Sequence, residues 1–253
     1  MKTIVVFNQK GGVGKTSTVA NLMSELTARH YKVLAIDLDA QCNLSVFCGA
    51  RNSNLSVCEW LLKTVTLDDV IINTQYGDLV PSSDTLQVEL LHFASIPAFI
   101  IRLRELLANM DKKYDYILID CPPAVNQLTA TALVAADYVL VPTETEFFSA
   151  DGVGKIAETI EQIKSLNSSI KVLGVLLVKY NPRRKLTQAL ERKLSDATER
   201  LLGCGILKTS IRFTLDIPAA QASGMSLSQY KPLGKATQEY SELCDEILQI
   251  IKE

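Results

Sequence analysis

The sequence predicts a doubly wound α/β fold, in which a mostly parallel β-sheet is flanked by helices. Short and almost continuously apolar runs alternate along the chain with longer segments of helical periodicity. Apolar runs of this kind are typical of parallel strands that are buried on both faces of a sheet. A glycine-rich loop follows the first run directly, and ligands in such sheets bind beyond the carboxyl ends of the strands.

The predicted strands and helices alternate in the way that right-handed crossovers require. The strands are expected at Thr3–Phe7, Val33–Asp37, Tyr116–Asp120, Tyr138–Pro142 and Val172–Val178. The helices are expected at Lys15–Arg29, Ala98–Asn109, Gln127–Ala136 and Gly152–Ser165. Because no internal repeat or linker interrupts this alternation, we expect residues 1–253 to form a single domain.

The composition excludes several classes of protein. Of the 253 residues, 47% are hydrophobic and 21% are charged, with a formal net charge of -2, which is typical of a globular protein with a large core. No apolar run is long enough to span a bilayer, and the N-terminus lacks a signal-peptide cleavage site, so we expect a cytoplasmic protein. The six cysteines form no C-x-x-C pair, and the two histidines have no metal-ligand spacing, which sets aside zinc and histidine catalysis.

The loop from Asn8 to Thr16 reads N-Q-K-G-G-V-G-K-T and departs from the ordinary phosphate-binding pattern G-x-x-x-x-G-K-[ST]. The first glycine of that pattern would fall on Gln9, whereas the glycines follow an additional lysine, Lys10. Backbone N–H groups of such a loop, together with the positive end of the following helix, form a cradle for an anion. We expect Lys15 to reach the terminal phosphates and the Thr16 hydroxyl to bind Mg²⁺.

Three aspartates follow predicted strands at the same edge of the sheet. Asp120 ends its strand, which is where an acidic residue holds Mg²⁺ through its water shell in sheets of this kind. Asp37 and Asp39 have i, i+2 spacing, so both would point the same way if the chain stayed extended. One of this pair is suited to orienting an attacking water and the other to holding the metal. Thr16, Asp37 and Asp120 are therefore the expected metal-side residues.

Five motifs together resemble the deviant Walker A P-loop ATPases of the ParA/MinD group. They are K-G-G-V-G-K-T, I-D-L-D-A-Q, I-D-C-P-P, A-D-Y-V-L-V-P and E-F-F-S-A-D-G, and the resemblance extends over essentially the whole chain. The most similar subgroup is that of the short, Soj-like ParA partition ATPases, which lack an N-terminal DNA-reading extension. Ala40 stands where the family usually has proline.

The resemblance implies an ATP-dependent homodimer that hydrolyses ATP with Mg²⁺. Lys10 matches the signature lysine that crosses the dimer interface to the partner's ATP, and Asp39 matches the aspartate that positions the hydrolytic water. Lys10, Lys15 and Asp39 are thus the expected catalytic residues, and Asp37 is nearer the metal. Asp216–Gln221 resembles a segment close to the adenine. The expected nucleotide contacts are Lys10, Gly11, Gly12, Val13, Gly14, Lys15, Thr16 and Ser17.

A basic segment between Lys179 and Arg212 is a candidate DNA-binding surface. It contains nine basic and three acidic residues on a chain of net negative charge. Such a run is usually a solvated face, but Arg183 and Arg212 fall where Soj-like proteins carry DNA-contacting or nearby arginines. The candidate contacts are Lys179, Arg183, Arg184 and Arg212. The resemblance then implies partition of plasmid or chromosomal DNA, non-specific binding to double-stranded DNA of the nucleoid, and release by a ParB-like adaptor protein that stimulates hydrolysis.

Three alternatives use a similar dimer. A MinD-like positioning ATPase would bind a membrane, but the C-terminal segment has an acidic polar face, which disfavours anionic lipids, and reads better as a helix packed on the sheet. An iron–sulfur protein would need more cysteines near the site than Cys121 alone. A nucleotide-gated regulator, in which hydrolysis is incidental, stays open.

Overall fold

The computed structural model describes residues 1–96, 98–111, 114–144, 150–181 and 185–252. The strands are β1 (Lys2–Val6), β2 (Val33–Asp37), β3 (Ile72–Thr74), β4 (Gly77–Val80), β5 (Tyr116–Asp120), β6 (Tyr138–Glu144), β7 (Lys171–Tyr180) and β8 (Ile206–Arg212). The helices are α1 (Lys15–Ala28), α2 (Asn43–Phe47), α3 (Val57–Leu61), α4 (Leu67–Val70), α5 (Leu86–Ser95), α6 (Arg102–Ala108), α7 (Gln127–Ala135), α8 (Ala150–Lys164), α9 (Lys185–Leu202), α10 (Asp216–Ala222), α11 (Leu227–Tyr230) and α12 (Lys235–Lys252). A 3₁₀ turn at Phe99–Ile101 precedes α6.

These strands form one eight-stranded sheet in the order β3-β4-β2-β5-β1-β6-β7-β8. Neighbouring strands are parallel except for the antiparallel pair β3–β4. The predicted doubly wound, mostly parallel α/β fold is therefore confirmed. The five predicted strands are present with bounds that shift by two residues or fewer at either end, and the three missed strands are β3, β4 and β8.

The sheet is buried on both faces, as its apolar strands predict. Along β1 and into the next residue, Val5 and Phe7 belong to one core, whereas Ile4 and Val6 belong to the other. Side chains from α3 and α5–α8 cover the first face, and side chains from α1, α2 and α10–α12 cover the second. The alternation follows from the two-residue period of a strand, and it leaves the carboxyl edge of the sheet as the place for polar chemistry.

The C-terminal helix packs on this sheet. Leu243, Ile247 and Leu248 of α12 are buried in the second core, and Ile251 packs against it. The helix also contacts β8 and α1. The prediction that the apolar stripe of the tail covers the sheet is therefore confirmed.

Candidate nucleotide-binding site

A cavity of about 720 Å³ opens at the carboxyl edge of the sheet. The loop after β1 and the first turn of α1 form one wall, and the segment that joins β8 to α10 forms another. Residues of the predicted site in the lining are Gly11, Gly12, Gly14, Lys15, Thr16, Ser17 and Asp39. The register of the strands explains this convergence, because Asp120 is the Cα partner of both Val6 in β1 and Asp37 in β2.

Two glycines of the loop allow backbone conformations that other residues rarely adopt. Gly12 has a φ of 74° and Gly14 a φ of 78°, in the left-handed region that glycine adopts without steric cost. Gly14 is the N-terminal cap residue of α1, so its left-handed turn aims the helix start at the cavity. Asn8 connects the loop to β6, because its side chain accepts a hydrogen bond from the Lys10 N–H and donates one to the Pro142 carbonyl. The sequence around the glycines thus builds an anion cradle.

Lys15 extends from the first turn of α1 and is only 7% exposed. Its Nζ donates a hydrogen bond to the Lys10 carbonyl oxygen at 2.9 Å. Burial lowers the pKa of the Lys15 ammonium, and the nearby carboxylates of Asp120 and Asp39 act in the opposite direction. Within the described residues its only hydrogen-bond acceptor is a neutral carbonyl. A buried ammonium so placed has room to gain an anionic ligand such as a phosphate.

Thr16 and Asp120, the two residues of the predicted metal side, are in direct contact. The Thr16 Oγ1 donates a hydrogen bond of 2.6 Å to Asp120 Oδ2. Asp120 is fully buried, and its other oxygen, Oδ1, has no hydrogen-bond partner among the described residues. Burial and the charge of Asp37 raise the pKa of Asp120 well above its usual range.

This arrangement fits Mg²⁺. A cation would offset the negative charge that burial makes costly, and it would satisfy the orphaned carboxylate oxygen. In the described part of the chain, no group of three or more His, Cys, Asp or Glu residues could enclose a metal. Mg²⁺ keeps several waters and takes oxygen ligands from substrate phosphates, so it needs few ligands from the protein. Thr16 and Asp120 are the residues that would hold it.

Asp37 and Asp39 do not point the same way, because the chain turns after β2. Asp37 is fully buried, and its carboxylate accepts hydrogen bonds from the Ser45 N–H, the Ser45 hydroxyl and the Asp39 N–H. Burial is the main cause that raises the pKa of Asp37 to about 6. Asp39 instead accepts hydrogen bonds from Gln41 and Cys42 N–H groups in a tight turn.

The condition under which the two aspartates would point the same way, an extended chain, is therefore not met. Local hydrogen bonds that Asp side chains accept from following N–H groups compete with an extended backbone and favour a turn. Asp39 reaches the cavity, whereas Asp37 is absent from its described lining. The contacts of Asp37 support a role in holding the Asp39 turn, and its assignment as a metal ligand stays a prediction.

Lys10 lies at the exposed end of the loop, beside the buried Lys15. The two lysines are connected through the backbone, since the Lys10 carbonyl accepts the hydrogen bond from Lys15 Nζ. One lysine of the loop therefore points into the protein and the other is in an exposed position. Val13 is buried behind the loop, and the Ser17 hydroxyl accepts a hydrogen bond from Gln221 Nε2 at 3.0 Å.

An apolar wall of the cavity was only partly predicted. The segment Asp216–Gln221 contributes Ile217, Pro218 and Gln221 to the lining, and its closeness to an adenine stays a prediction. Phe213 and Leu215 also line the cavity, with 64% and 73% of their surface exposed. Neither was expected from the sequence. Two large apolar side chains before a helix rich in small residues were the available signal.

The candidate DNA contacts divide between two places. Lys179 and Arg212 line the nucleotide cavity, and each pairs with a carboxylate: Lys179 Nζ lies 2.6 Å from Glu144 Oε1, and Arg212 Nε donates to Glu239 Oε1 at 2.7 Å. Lys179 and Arg212 therefore lie at the cavity rather than on a separate surface, because the strands that carry them, β7 and β8, end there. Arg183 and Arg184 lie outside the described residues.

Comparison with known proteins agrees with this geometry. The AAA domain family matches residues 1–172. The chromosome-partitioning ATPase Soj of Thermus thermophilus is 31% identical over 254 residues, covering 100% of this chain and 98% of that protein. A crystal structure of cobyrinic acid a,c-diamide synthase from Mycobacterium smegmatis, with a bound ATP analogue and magnesium, superposes with a TM-score of 0.87 at 29% identity, covering 100% and 96% of the two chains. The cell division ATPase MinD of Pyrococcus furiosus gives a TM-score of 0.79 at 25% identity, covering 98% and 99%.

Proposed function

The chain belongs to the ParA/MinD family of P-loop ATPases, and from this membership we propose that it partitions DNA as a Soj-type ATPase. It is an ATPase that uses ATP and Mg²⁺. In the proposed cycle an ATP-bound homodimer attaches to nucleoid DNA without sequence preference. A ParB-like adaptor protein then stimulates hydrolysis and releases the dimer.

The observation that carries the proposal is that one lysine of the loop is buried and the other is exposed. Lys15 is buried at the cavity, where it is suited to bind the phosphates of its own nucleotide. Lys10 is exposed at the rim, so it is suited to contact a nucleotide held by a second copy of the chain. Two facing ATP molecules concentrate negative charge at an interface, and a lysine from each side offsets it. Binding of ATP would thereby promote dimerisation.

The residues of the cavity support hydrolysis in defined roles. The loop N–H groups and Lys15 bind the β- and γ-phosphates. Thr16 and Asp120 hold Mg²⁺, which when bound neutralises charge on the phosphate oxygens. Asp39, whose turn is supported by Asp37, orients the attacking water. Positioning and electrostatic stabilisation supply most of the catalysis in such reactions, so a site that is incomplete without its partner turns over slowly.

DNA binding is proposed to come from the basic residues between Lys179 and Arg212, and first of all from Arg183 and Arg184. Contacts of this kind are made to phosphates, so binding should weaken steeply with salt and be indifferent to sequence. Full-length similarity to the partitioning ATPase Soj supports this half of the proposal.

The test is binding of the full chain to random-sequence duplex DNA with Mg·ATP or Mg·ADP, at low and high salt, beside anionic liposomes. We expect salt-sensitive DNA binding that requires ATP and is lost in the Lys15→Ala variant. Binding to liposomes without binding to DNA would reject the partition function and favour a MinD-like positioning ATPase. Binding to neither would reject both.

The MinD-like alternative rests on the superposition with MinD and is weakened by the packing of α12. The apolar residues of α12 are buried against the sheet. In the part of the chain that the structure describes, no single helix has the length and composition of a membrane span, and only the pair Leu86–Ser95 and Phe99–Ala108, bent by 119°, has them in combination.

A further inference from the structure

Lys179, at the end of β7, reaches the phosphate-binding loop. Its Nζ donates a hydrogen bond to the Gly12 carbonyl oxygen at 3.0 Å and another to Glu144 Oε1 at 2.6 Å. Glu144 is the last residue of β6, so the lysine joins two neighbouring strand ends to the loop after β1. The Lys179 side chain is 48% exposed, whereas that of Glu144 is only 16% exposed. The carboxylate is thus the fixed partner that holds the longer lysine side chain in place.

The backbone of β7 is deformed where this contact is made. Lys179 has a φ of 51°, an uncommon left-handed conformation for a residue with a side chain. The pairing of β7 with β8 also loses its regular register between Leu177 and Tyr180. Such irregularities recur beside functional sites, where they redirect a side chain.

The deformation lets two consecutive residues face the same loop. Neighbours on a regular strand point to opposite faces of the sheet. Here the methyl groups of Val178 lie 3.9 Å from where a Cβ on Gly14 would stand, while Lys179 contacts Gly12. The strand end therefore supports the loop at two of its glycines, once by packing and once by a charged hydrogen bond.

Gly12 borders open space within the described part of the structure. A Cβ placed on it would meet no described atom within 4 Å, and its positive φ suits a residue with many accessible conformations. A peptide unit is planar, so a partner that fixes the Gly12 carbonyl also fixes the N–H of Val13 in the same plane. That N–H belongs to the loop that cradles the phosphates.

We propose that Lys179 is a positioning residue for the phosphate-binding loop, which it holds through the Gly12 carbonyl while Glu144 orients its ammonium group. The inference deepens the proposed function and rests on its ATP-binding half, not on DNA binding. It gives Lys179 a role different from that of a DNA contact. It also assigns a role to Glu144, which the motifs of the nucleotide site do not include.

Two other roles for Lys179 predict different effects of the Glu144→Gln substitution on nucleotide binding. If Lys179 only attracted phosphate by its charge, removal of the neighbouring negative charge in Glu144→Gln would tighten nucleotide binding. If Lys179 contacted DNA, Glu144→Gln would strengthen DNA binding and leave nucleotide binding unchanged. In the positioning role, Glu144→Gln releases the ammonium and weakens nucleotide binding. The sign of one measurement therefore separates the three.

The experiment compares Lys179→Met and Glu144→Gln with Lys171→Met, which removes an exposed lysine from the opposite end of the same strand. Calorimetric Kd values for Mg·ATP and Mg·ADP are measured on the full chain, together with apo melting temperatures. We expect Lys179→Met to raise both Kd values about tenfold, equivalent to ~1.4 kcal/mol. Glu144→Gln should raise them about threefold, and Lys171→Met should leave them unchanged. Met keeps the length of the lysine and its backbone preferences, so the comparison isolates the ammonium group.

A charge-retaining variant separates positioning from general stability. Lys179→Arg can still donate to the Gly12 carbonyl and should keep most of the nucleotide affinity. Unchanged Kd values in Lys179→Met, or unchanged or tighter nucleotide binding in Glu144→Gln, would overturn the proposal. The proposal would also be overturned if Lys179→Met lost affinity only to the extent that its apo melting temperature fell, because the effect would then be one of general stability. These results do not depend on DNA, so failure of wild-type protein to bind DNA would reject partition and leave the positioning role standing.

Discussion

Thr16 Oγ1 lies 2.6 Å from Asp120 Oδ2 and donates a hydrogen bond to that carboxylate, across 104 residues of sequence. The contact joins the first turn of α1 to the end of β5. Asp37 and Asp120 are fully buried, and their Cα atoms pair in register, so two buried carboxyl groups lie in neighbouring strands. Both groups have a raised pKa for which burial is the largest cause. The site therefore concentrates negative charge where Mg²⁺ would offset it.

Asp120→Asn should stabilise the apo protein and remove Mg²⁺-dependent hydrolysis. A carboxylate whose folded pKa is raised binds its proton more tightly in the fold, so it costs stability at pH values above the unfolded pKa. Asn has no such cost and its side-chain oxygen can still accept the hydrogen bond from Thr16. We expect the apo melting temperature at pH 7.5 to rise by ~2 °C or more.

The same variant should lose at least about 100-fold in ATPase rate. Thr16→Ser, which keeps the hydroxyl, is the matched control and should retain most activity. Apo melting curves check the stability, and a steady-state ATPase assay checks the rate. Melting curves with Mg·ATP test ligand binding, because wild type should gain stability from the ligand and Asp120→Asn should gain little. A destabilised or fully active Asp120→Asn would show that this carboxylate does not hold the metal.

Asp39→Ala should give an ATP-bound dimer that persists. Asp39 reaches the cavity from a turn whose N–H groups are held by its own side chain and by that of Asp37. Its loss removes the group that orients water but none of the phosphate contacts, so hydrolysis should fall by about 10² to 10⁴ with little change in Kd for ATP. Single-turnover ATPase assays and light scattering measure the two effects. Asn43→Ala, which changes another polar residue of the cavity wall, is the control, and wild-type turnover in Asp39→Ala would place the water elsewhere.

Lys10→Gln should bind ATP as a monomer and fail to dimerise. The Lys10 side chain is exposed, and it is the backbone carbonyl of this residue that holds Lys15, so the substitution leaves the contact with Lys15 in place. Light scattering with Mg·ATP reports the dimer and calorimetry reports the affinity. Lys15→Ala is the contrasting variant, since it should lose ATP binding itself. An intact dimer in Lys10→Gln would reject the cross-subunit role.

The five strands at the centre of the sheet were predictable from sequence, whereas the edge strands β3 and β8 and the short β4 beside β3 were not. β1, β2 and β5–β7 are nearly continuous apolar runs. β8 reads I-L-K-T-S-I-R, with polar residues that suit an edge strand, and the backbone N–H groups of Lys208, Thr209 and Arg212 donate to glutamates of α12. Such contacts from a distant helix satisfy an edge strand in a way that no local pattern records.

The nucleotide site shows a similar division between local and distant information. The glycine loop, Lys15 and Thr16 lie in one contiguous motif, and their chemistry follows from residue type and spacing. The separation of Asp37 from Asp39 depends on hydrogen bonds to Ser45, and the contact of Lys179 with Gly12 depends on a deformed strand end. These relations arise from tertiary structure, so spacing along the chain could not reveal them.

The charge-reversal variant Arg183→Glu/Arg184→Glu should weaken DNA binding without affecting ATP binding. Arg212→Gln should behave differently, because Arg212 lines the nucleotide cavity and is held by Glu239. We expect the double variant to lose at least tenfold in affinity for duplex DNA, with a log–log salt slope that is shallower by about 0.9 for each lost phosphate contact. Arg212→Gln should instead raise the Kd for Mg·ATP. Lys171→Glu/Lys252→Glu, which reverses two exposed lysines elsewhere, is the charge-matched control and should bind DNA almost as wild type does. Equal loss of DNA binding in both double variants would indicate attraction by overall charge, and a loss in Arg212→Gln at unchanged ATP affinity would return that arginine to the DNA interface.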